Sequence, residues 1–472
     1  MKLTDAWPDL AVPDDLVYFR CRDRYLVANP ALAAWATLDE GELAGLRALA
    51  RGEAAPASPP AVLERALAKL VLHWLVYLPG RVPQVRQPEP ALRLVYYAIT
   101  DGCNLRCPYC YASSTRRLPG EMVTEESIDL VEQVAAMGAR VVIFTGGEPM
   151  LRKDLFAIAR HARGLGLRVN IITNGTRIVN ESIACEVADI FDEVTVSLDG
   201  GTAETHEPTR GEGTFTLTAR ALVLLNEAGV VPTINHVVTS DNVGLVDKFA
   251  EFVAGLKVHK VRLMSHSEIG RGVGDGMGFT FDDYMTVQRF SWTHPLAGKM
   301  MTDGPKASAT PCAIRGNCGL GGNEIYVNSL GDVYPCKLIT DRPHKAGNIR
   351  ERPLAELFAS PVLADLRGSS VFHGTNLRDC RRCYIRGGCG GGCRAFHAAQ
   401  SGDVKRNSRA HCRILRHSMV SSMWLSSGYT GADLMHHQDD MMTPRLVRDD
   451  EIHPVYEDWR PEDGRRLLPV LA

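Results

Sequence analysis

Cys103-Asn104-Leu105-Arg106-Cys107-Pro108-Tyr109-Cys110 is the stretch on which the reading of this chain turns. Its three thiols are separated by three and then two residues, and they follow an apolar run over residues 92–99. Soft thiolates at such spacing select zinc, copper(I) or iron–sulfur clusters. The number three is informative, because a closed structural site takes four protein ligands and a catalytic metal keeps a position open. A four-iron cube held by three cysteines leaves one iron free for a small molecule. A zinc knuckle with a distant fourth ligand, or a set of buried structural cysteines, is the plainer reading of the same residues.

The chain continues in a way those plainer readings do not explain. A second apolar run, 140–145, ends in Gly146-Gly147-Glu148-Pro149. With CX3CX2C ahead of it, this segment resembles the radical S-adenosylmethionine enzymes. The resemblance implies that Cys103, Cys107 and Cys110 carry a 4Fe–4S cluster whose open iron binds the amino and carboxylate groups of S-adenosylmethionine. It implies that Gly146, Gly147, Glu148 and Pro149 line the methionine end, with glycine permitting close backbone approach. Electron transfer from the cluster then cleaves the sulfonium and yields a 5′-deoxyadenosyl radical, so the cofactor carries the hard chemistry. Ser197-Leu198-Asp199-Gly200 and Arg210-Gly211 resemble the family again. There the serine and aspartate lie near ribose and methionine, and the arginine near the carboxylate. Tyr109 is similar to the aromatic that packs by the adenine. Each of these residues alone reads equally well as a strand-end turn or a solvated side chain.

Length and composition agree with such an enzyme. At 472 residues the chain is expected to hold two to four domains. A net charge of −2 gives no nucleic-acid footprint. The N-terminus lacks a signal-peptide pattern. The apolar stretch 70–78 is broken by His73 and too short for a bilayer, so no membrane partner and a cytoplasmic location are expected. Thirteen cysteines in a reducing compartment argue for metal ligation over disulfides. Only Cys21 and Cys185 lie outside the first motif and the region after residue 311.

In chain order, residues 1–88 read as a small α+β unit with a linker. Two short strands, 16–20 and 25–27, precede three short helices at 30–35, 41–50 and 60–75. The unit is weakly similar to winged-helix domains that bind a leader peptide by adding it as a strand to a sheet edge. A structural cap on the next domain is the competing reading. The linker is punctuated by Pro79, Pro83, Pro88 and Pro90. Residues 89–300 alternate strand and helix. Strands are expected at 92–99, 140–145, 168–173, 193–198, 231–239 and 260–264. Helices are expected at 125–137, 153–165, 180–188, 215–228, 243–256 and 282–292. Six such units predict a parallel α/β domain. The resemblance makes it a partial (β/α)6 radical SAM barrel, with its chemistry at the C-terminal strand ends.

From 301 to 415 the chain is Gly- and Cys-rich. Cys312-x5-Cys318-x12-Gly331-x4-Cys336 is followed by Cys380-x2-Cys383-x5-Cys389-x3-Cys393 and a lone Cys412. This pattern resembles the SPASM extension of radical enzymes, which holds two auxiliary iron–sulfur clusters. Carried over by position, Cys312, Cys318, Cys336 and Cys393 hold the first, and Cys380, Cys383, Cys389 and Cys412 the second. Eight ligands leave neither cluster open, so both serve electron transfer or tuning. The glycines between 387 and 392 suit backbone wrapped round a sulfide core. A pair of zinc-ribbon sites is the rival. Residues 414–425 are read as a helix closing the SPASM domain, and the remainder of the tail 416–472 as surface-wrapping or partly disordered.

The resemblance implies an enzyme that oxidises or cross-links a ribosomal precursor peptide, with a flavodoxin or ferredoxin as electron donor. A dehydrogenase or epimerase acting on a small-molecule intermediate is the alternative, and a non-catalytic metal-binding peptide scaffold is a further one. Sulfatase-maturing members place an acidic residue, proposed as a general base, after the cysteine of GX4C. Here Lys337 stands there, which speaks against sulfatase maturation and leaves the catalytic base unassigned.

Overall fold

The computed structural model describes residues 2–85, 89–302, 314–372 and 377–457. The strands of the central domain are β4 (Leu94–Thr100), β5 (Val141–Gly146), β6 (Arg168–Thr173), β7 (Glu193–Ser197), β8 (Thr233–Val238) and β9 (Lys260–Ser265). They lie side by side in sequence order and all run parallel. Helices α3 (Thr124–Ala136), α4 (Leu155–Gly164), α5 (Glu181–Ile190), α7 (Thr214–Glu227), α8 (Val246–Ala254) and α9 (Phe281–Thr293) follow them in turn. Alternate strand residues Val95, Tyr97, Val142, Phe144, Val169, Ile171, Val194 and Val196 form one core with the helices. Their neighbours on each strand therefore face the barrel's inside. A parallel sheet covered on both faces by helices reads as continuous apolar runs. Here the inward positions include Asn170, Glu193, Thr195, Asn235 and Arg262, which line a polar lumen instead.

This sheet is wider than the six expected strands. β10 (Met300–Thr302) adds parallel to β9. On the far side β11 (Glu324–Val327) pairs parallel with β4, and β12 (Asp332–Tyr334) and β13 (Gly347–Asn348) continue it antiparallel. The Cys-rich region is thus joined to the barrel by main-chain hydrogen bonds. A further helix, α6 (Ala203–Arg210), was not expected, because Pro208 and the lack of an apolar stripe hide it.

The N-terminal unit departs from expectation at residues 30–35. No helix forms there, and the segment turns into a third strand. β1 (Val17–Cys21), β2 (Arg24–Asn29) and β3 (Ala34–Leu38) form an antiparallel meander followed by α1 (Glu40–Arg51) and α2 (Pro60–Leu72). Asp39 caps α1 through a reciprocal pair with Glu42. One sheet face packs on α1 and α2 through Tyr18, Val27, Leu38, Leu46 and Leu67.

The other face is buried against the Cys-rich domain. Val17, Phe19, Leu26 and Trp35 share a core with Cys383, Tyr384, Ile385, Leu415, Met419 and Trp424. The last three of these partners sit on the helix Arg409–Ser426. The expected tail is likewise structured through Glu457: short helices lead to β14 (Arg445–Leu446), which pairs antiparallel with β1. A segment from the far end of the chain so completes the N-terminal sheet. Among the described residues, no helix is long and apolar enough to cross a membrane.

Candidate active site

The first motif lies in the loop after β4, at the C-terminal end of the barrel strands. Cys107 is buried, and Cys103 and Cys110 are partly so. The amide of Leu105 donates to Cys103 Sγ at 3.4 Å. Cys110 N–H donates to the Cys107 carbonyl at 3.2 Å, which curls the loop between these two cysteines. Burial pushes the Cys103 thiol up to about 11, and the charges of Cys107 and Cys110 push the same way. Three thiolates so placed are tolerated only with a compensating cation, which fits an iron–sulfur ligand set. Among the described residues, no three Cys, His, Asp or Glu side chains stand close enough to hold one metal ion. A cluster is ligated at its corners and takes thiols that stand further apart.

Two segments brace this loop. The amide of Gly147 donates to the Thr100 carbonyl and that of Glu148 to the Gly102 carbonyl, both at 2.8 Å. A Cβ on Gly146 would lie 2.2 Å from the Thr100 oxygen, and one on Gly147 2.2 Å from the Gly102 oxygen. The close approach that these glycines permit is thus to the cysteine loop itself. Glu148 is fully buried. It accepts from Thr173 Oγ1 and the Asn174 amide, each at 2.7 Å, and so ties the ends of β5 and β6 together. Pro149 follows, buried, at the start of a single 3-10 turn. The second brace was not legible in the sequence. Arg271, after β9, donates to the Cys107 and Ser114 carbonyls at 3.0 and 2.9 Å, and its amide donates to the Cys110 carbonyl.

Asp199, Arg210 and Tyr109 meet beside Cys107. Asp199 is buried and accepts Arg210 Nε at 2.6 Å, Thr209 Oγ1 at 3.3 Å, the Val237 amide at 2.9 Å and the Tyr109 hydroxyl. Burial works against the Asp199 carboxylate, but the Arg210 charge and these donors hold it well below the usual carboxylate range. His206 Nδ1 accepts the Asp199 amide at 3.2 Å. Burial pushes that imidazole down to about 4, so it is neutral and able to accept. Arg210 lies 5.4 Å from the Tyr109 ring centroid and 4.0 Å from Cys107 Sγ. Protein donors thus occupy Asp199, and its contacts hold Arg210 and Tyr109 beside Cys107. Ser197 ends β7 opposite Asn235.

A second cysteine group lines a cavity of about 310 Å³, its open mouth included, in the C-terminal domain. Cys380, Cys383, Cys389 and Cys412 all face it, with Arg386, His397, Asn407 and Arg416. Four thiols round one space fit a fully ligated cluster. Asn407 Nδ2 donates to Cys380 Sγ at 3.1 Å. The Gly391 amide reaches Cys389, as expected of amide wrapping, but Gly387 serves packing instead. Its amide donates to the Pro30 carbonyl at 2.8 Å, where a Cβ would lie 2.6 Å away. Cys318, Cys336 and Cys393 form the remaining group: the charges of Cys318 and Cys393 both raise Cys336. Cys312 lies outside the described residues.

Two expected outcomes test this geometry. Gly147→Ala sets a methyl against a carbonyl, a strain of about 1–3 kcal/mol or more. It should lower S-adenosylmethionine cleavage by at least about tenfold, since 1.4 kcal/mol is tenfold. Iron content should fall by the first cluster only, and unaltered cleavage would contradict the packing described. Asn407→Leu removes a donor to sulfur, and such hydrogen bonds favour the reduced, more negative cluster. A redox titration followed by electron paramagnetic resonance should show a lower potential for one auxiliary cluster, with no change in the others.

Comparison with known proteins places these observations. The Radical SAM superfamily model matches residues 97–253, and the SPASM iron–sulfur cluster-binding domain model matches residues 318–384. An AdoMet-dependent heme synthase of Methanosarcina barkeri is 31% identical over 340 residues, covering 66% of this chain and 94% of that protein. Mycofactocin maturase MftC of Mycolicibacterium smegmatis is 31% identical over 281 residues, covering 58% of this chain and 71% of the relative. Among solved structures, native anSMEcpe with bound AdoMet has a TM-score of 0.56 at 21% identity, covering 74% of this chain and 100% of that one. Streptococcus suis SuiB bound to precursor peptide SuiA has a TM-score of 0.53 at 18% identity, covering 82% and 96%. At these identities the structures establish a shared fold. The cysteine loop, the parallel barrel around it, the Cys-rich extension and the relatives matched over most of their length agree: the chain belongs to the radical SAM superfamily and carries a SPASM domain, with S-adenosylmethionine and iron–sulfur clusters as its cofactors.

Proposed function

We propose that this radical SAM enzyme oxidises or cross-links residues of a ribosomal precursor peptide. The observation that carries the reading is the N-terminal sheet, docked face-on against the SPASM domain beside an already complete barrel. Its face covers the SPASM core, and its β3 edge offers a peptide a strand to pair with. The mycofactocin maturase relatives and the peptide-bound SuiB neighbour support the same substrate class. β14 already occupies the β1 edge, and the Trp35 carbonyl on β3 accepts His73 Nδ1 at 2.9 Å. A leader would add on β3, the sheet's other edge, past Trp35.

In this proposal Cys103, Cys107 and Cys110 hold the radical cluster. Cys318, Cys336 and Cys393, with Cys312, hold one auxiliary cluster, and Cys380, Cys383, Cys389 and Cys412 the other. The bound cluster and S-adenosylmethionine together supply a carbon radical that abstracts hydrogen. The chain's own residues position that chemistry. Glu148 fixes the Gly146–Pro149 turn against the cysteine loop, Asp199 orients Arg210 towards Cys107, and Arg271 holds the loop closed from the β9 side. The electron donor is a flavodoxin or ferredoxin of the same, reducing compartment.

The heme synthase relatives favour a second reading, a small-molecule substrate, because 94% of one such protein is matched by this chain. Incubating the reduced, reconstituted enzyme with any short peptide encoded beside its gene decides between them. The proposal expects that peptide to lose hydrogen, seen as a mass decrease, and to do so faster with its leader than without. An unchanged peptide alongside active S-adenosylmethionine cleavage would transfer support to the small-molecule reading.

A further inference from the structure

Lys337 follows Cys336, and its side chain turns inward. Its Nζ stands 4.4 Å from the Tyr96 ring centroid, with Tyr111, Cys336 and Glu324 around it. Tyr96 lies between Val95 and Tyr97, which face the helices, so the ring and the ammonium over it face the barrel lumen. Tyr326 stands opposite Tyr96 in the β4–β11 register and packs against Tyr334. Tyr111 comes directly after the cluster cysteine Cys110. The surroundings of Lys337 are therefore aromatic and lie between two cluster-ligand positions.

The lumen's charges are unequally matched. Arg262 is paired with Glu193 at 2.8 Å. Among the described residues, no hydrogen bond or ion pair holds the Lys337 ammonium, which stands over the Tyr96 ring. Glu324 is near, but no ion pair joins the two. Withdrawing a cation from water is costly unless a partner ion meets it.

We infer that Lys337 receives a carboxylate of the substrate and holds it against the tyrosines of the lumen. The inference rests on the proposed radical chemistry, with the substrate placed in the lumen below the cysteine loop, but not on the substrate being a peptide. An acidic residue of a peptide and a small organic acid present the same group. A bland rival is that Lys337 only offsets negative charge at the cluster bound by Cys336.

Calorimetric titration of the full-length, reconstituted enzyme with S-adenosylmethionine present tests this. The probes are propionate against propionamide, and acetyl-Gly-Glu-Gly-amide against its Gln counterpart. At least one acid should bind about tenfold or more tighter than its neutral partner, equivalent to 1.4 kcal/mol. Lys337→Met should erase that preference and Lys337→Arg should keep part of it, with Lys337→Gln standing in if the Met variant does not fold. Equal affinities in the wild type, no saturable binding of either acid, or a preference that survives Lys337→Met would overturn the inference. So would an auxiliary-cluster potential that shifts in Lys337→Met while the acid preference stays, which assigns Lys337 to the cluster. Binding of propionate without the Glu peptide keeps the carboxylate receptor and removes the peptide reading.

Discussion

Replacing Cys103, Cys107 and Cys110 together by Ala is expected to abolish S-adenosylmethionine cleavage and to leave about eight irons per chain. The three thiols sit on one loop after β4, whereas the other proposed ligands lie after residue 311. The loop is braced from outside, by Gly147, Glu148 and Arg271, so the barrel should keep its fold without the cluster. Reconstituted variant and wild type would be compared for iron, for sulfide and for 5′-deoxyadenosine. A variant that retains about twelve irons, or that still forms 5′-deoxyadenosine, would place the radical cluster elsewhere.

Removing residues 1–88 is expected to have the largest effect on stability. As a separate, tethered module the N-terminal unit could be cut away at little cost to S-adenosylmethionine cleavage. The structure points the other way. Its sheet covers Tyr384, Ile385, Leu415, Met419, Val420, Met423 and Trp424, and it pairs with β14. Uncovering one large apolar side chain costs about 1.5–3 kcal/mol. Several together reach the about 5–15 kcal/mol that holds a domain folded. Cys383 belongs to the same core, so the truncated chain should lose solubility and auxiliary iron together. Soluble yield and iron per chain of residues 89–472 check this. A soluble, fully loaded truncation would restore the picture of a detachable module. Leader binding and structural covering are compatible roles, because the leader would use the sheet's β3 edge while its face packs on Tyr384 and Trp424.

The barrel was legible because its strands alternate. Val169 and Ile171 against Asn170, or Val194 and Val196 against Thr195, give a period of two bounded by amphipathic helices, and observed strand ends fall within a few residues of expectation. The cysteine motifs were legible because metal ligation fixes residue type and spacing. What stayed hidden depends on tertiary contact. Residues 34–38 hold small and apolar residues that suit a helix as well as a strand, and pairing with β2 decides the matter. The two residues of β14 carry no strand pattern, and β1 supplies their partners from over 400 positions away. Arg271 looks like any solvated arginine until β9 delivers it to the Cys107 carbonyl. The need for glycine at 146 and 147 could be read from the motif, but the backbone that approaches there, Thr100 and Gly102, could not.

This chain is a radical enzyme, and reductive cleavage of S-adenosylmethionine is the direct assay for one. The anaerobically reconstituted, full-length protein would be reduced with dithionite and incubated with S-adenosylmethionine, and the products quantified by liquid chromatography. The expected products are 5′-deoxyadenosine and methionine in equal amounts, formed only when both iron and reductant are present. Intact S-adenosylmethionine in the presence of a fully loaded, reduced cluster would contradict it.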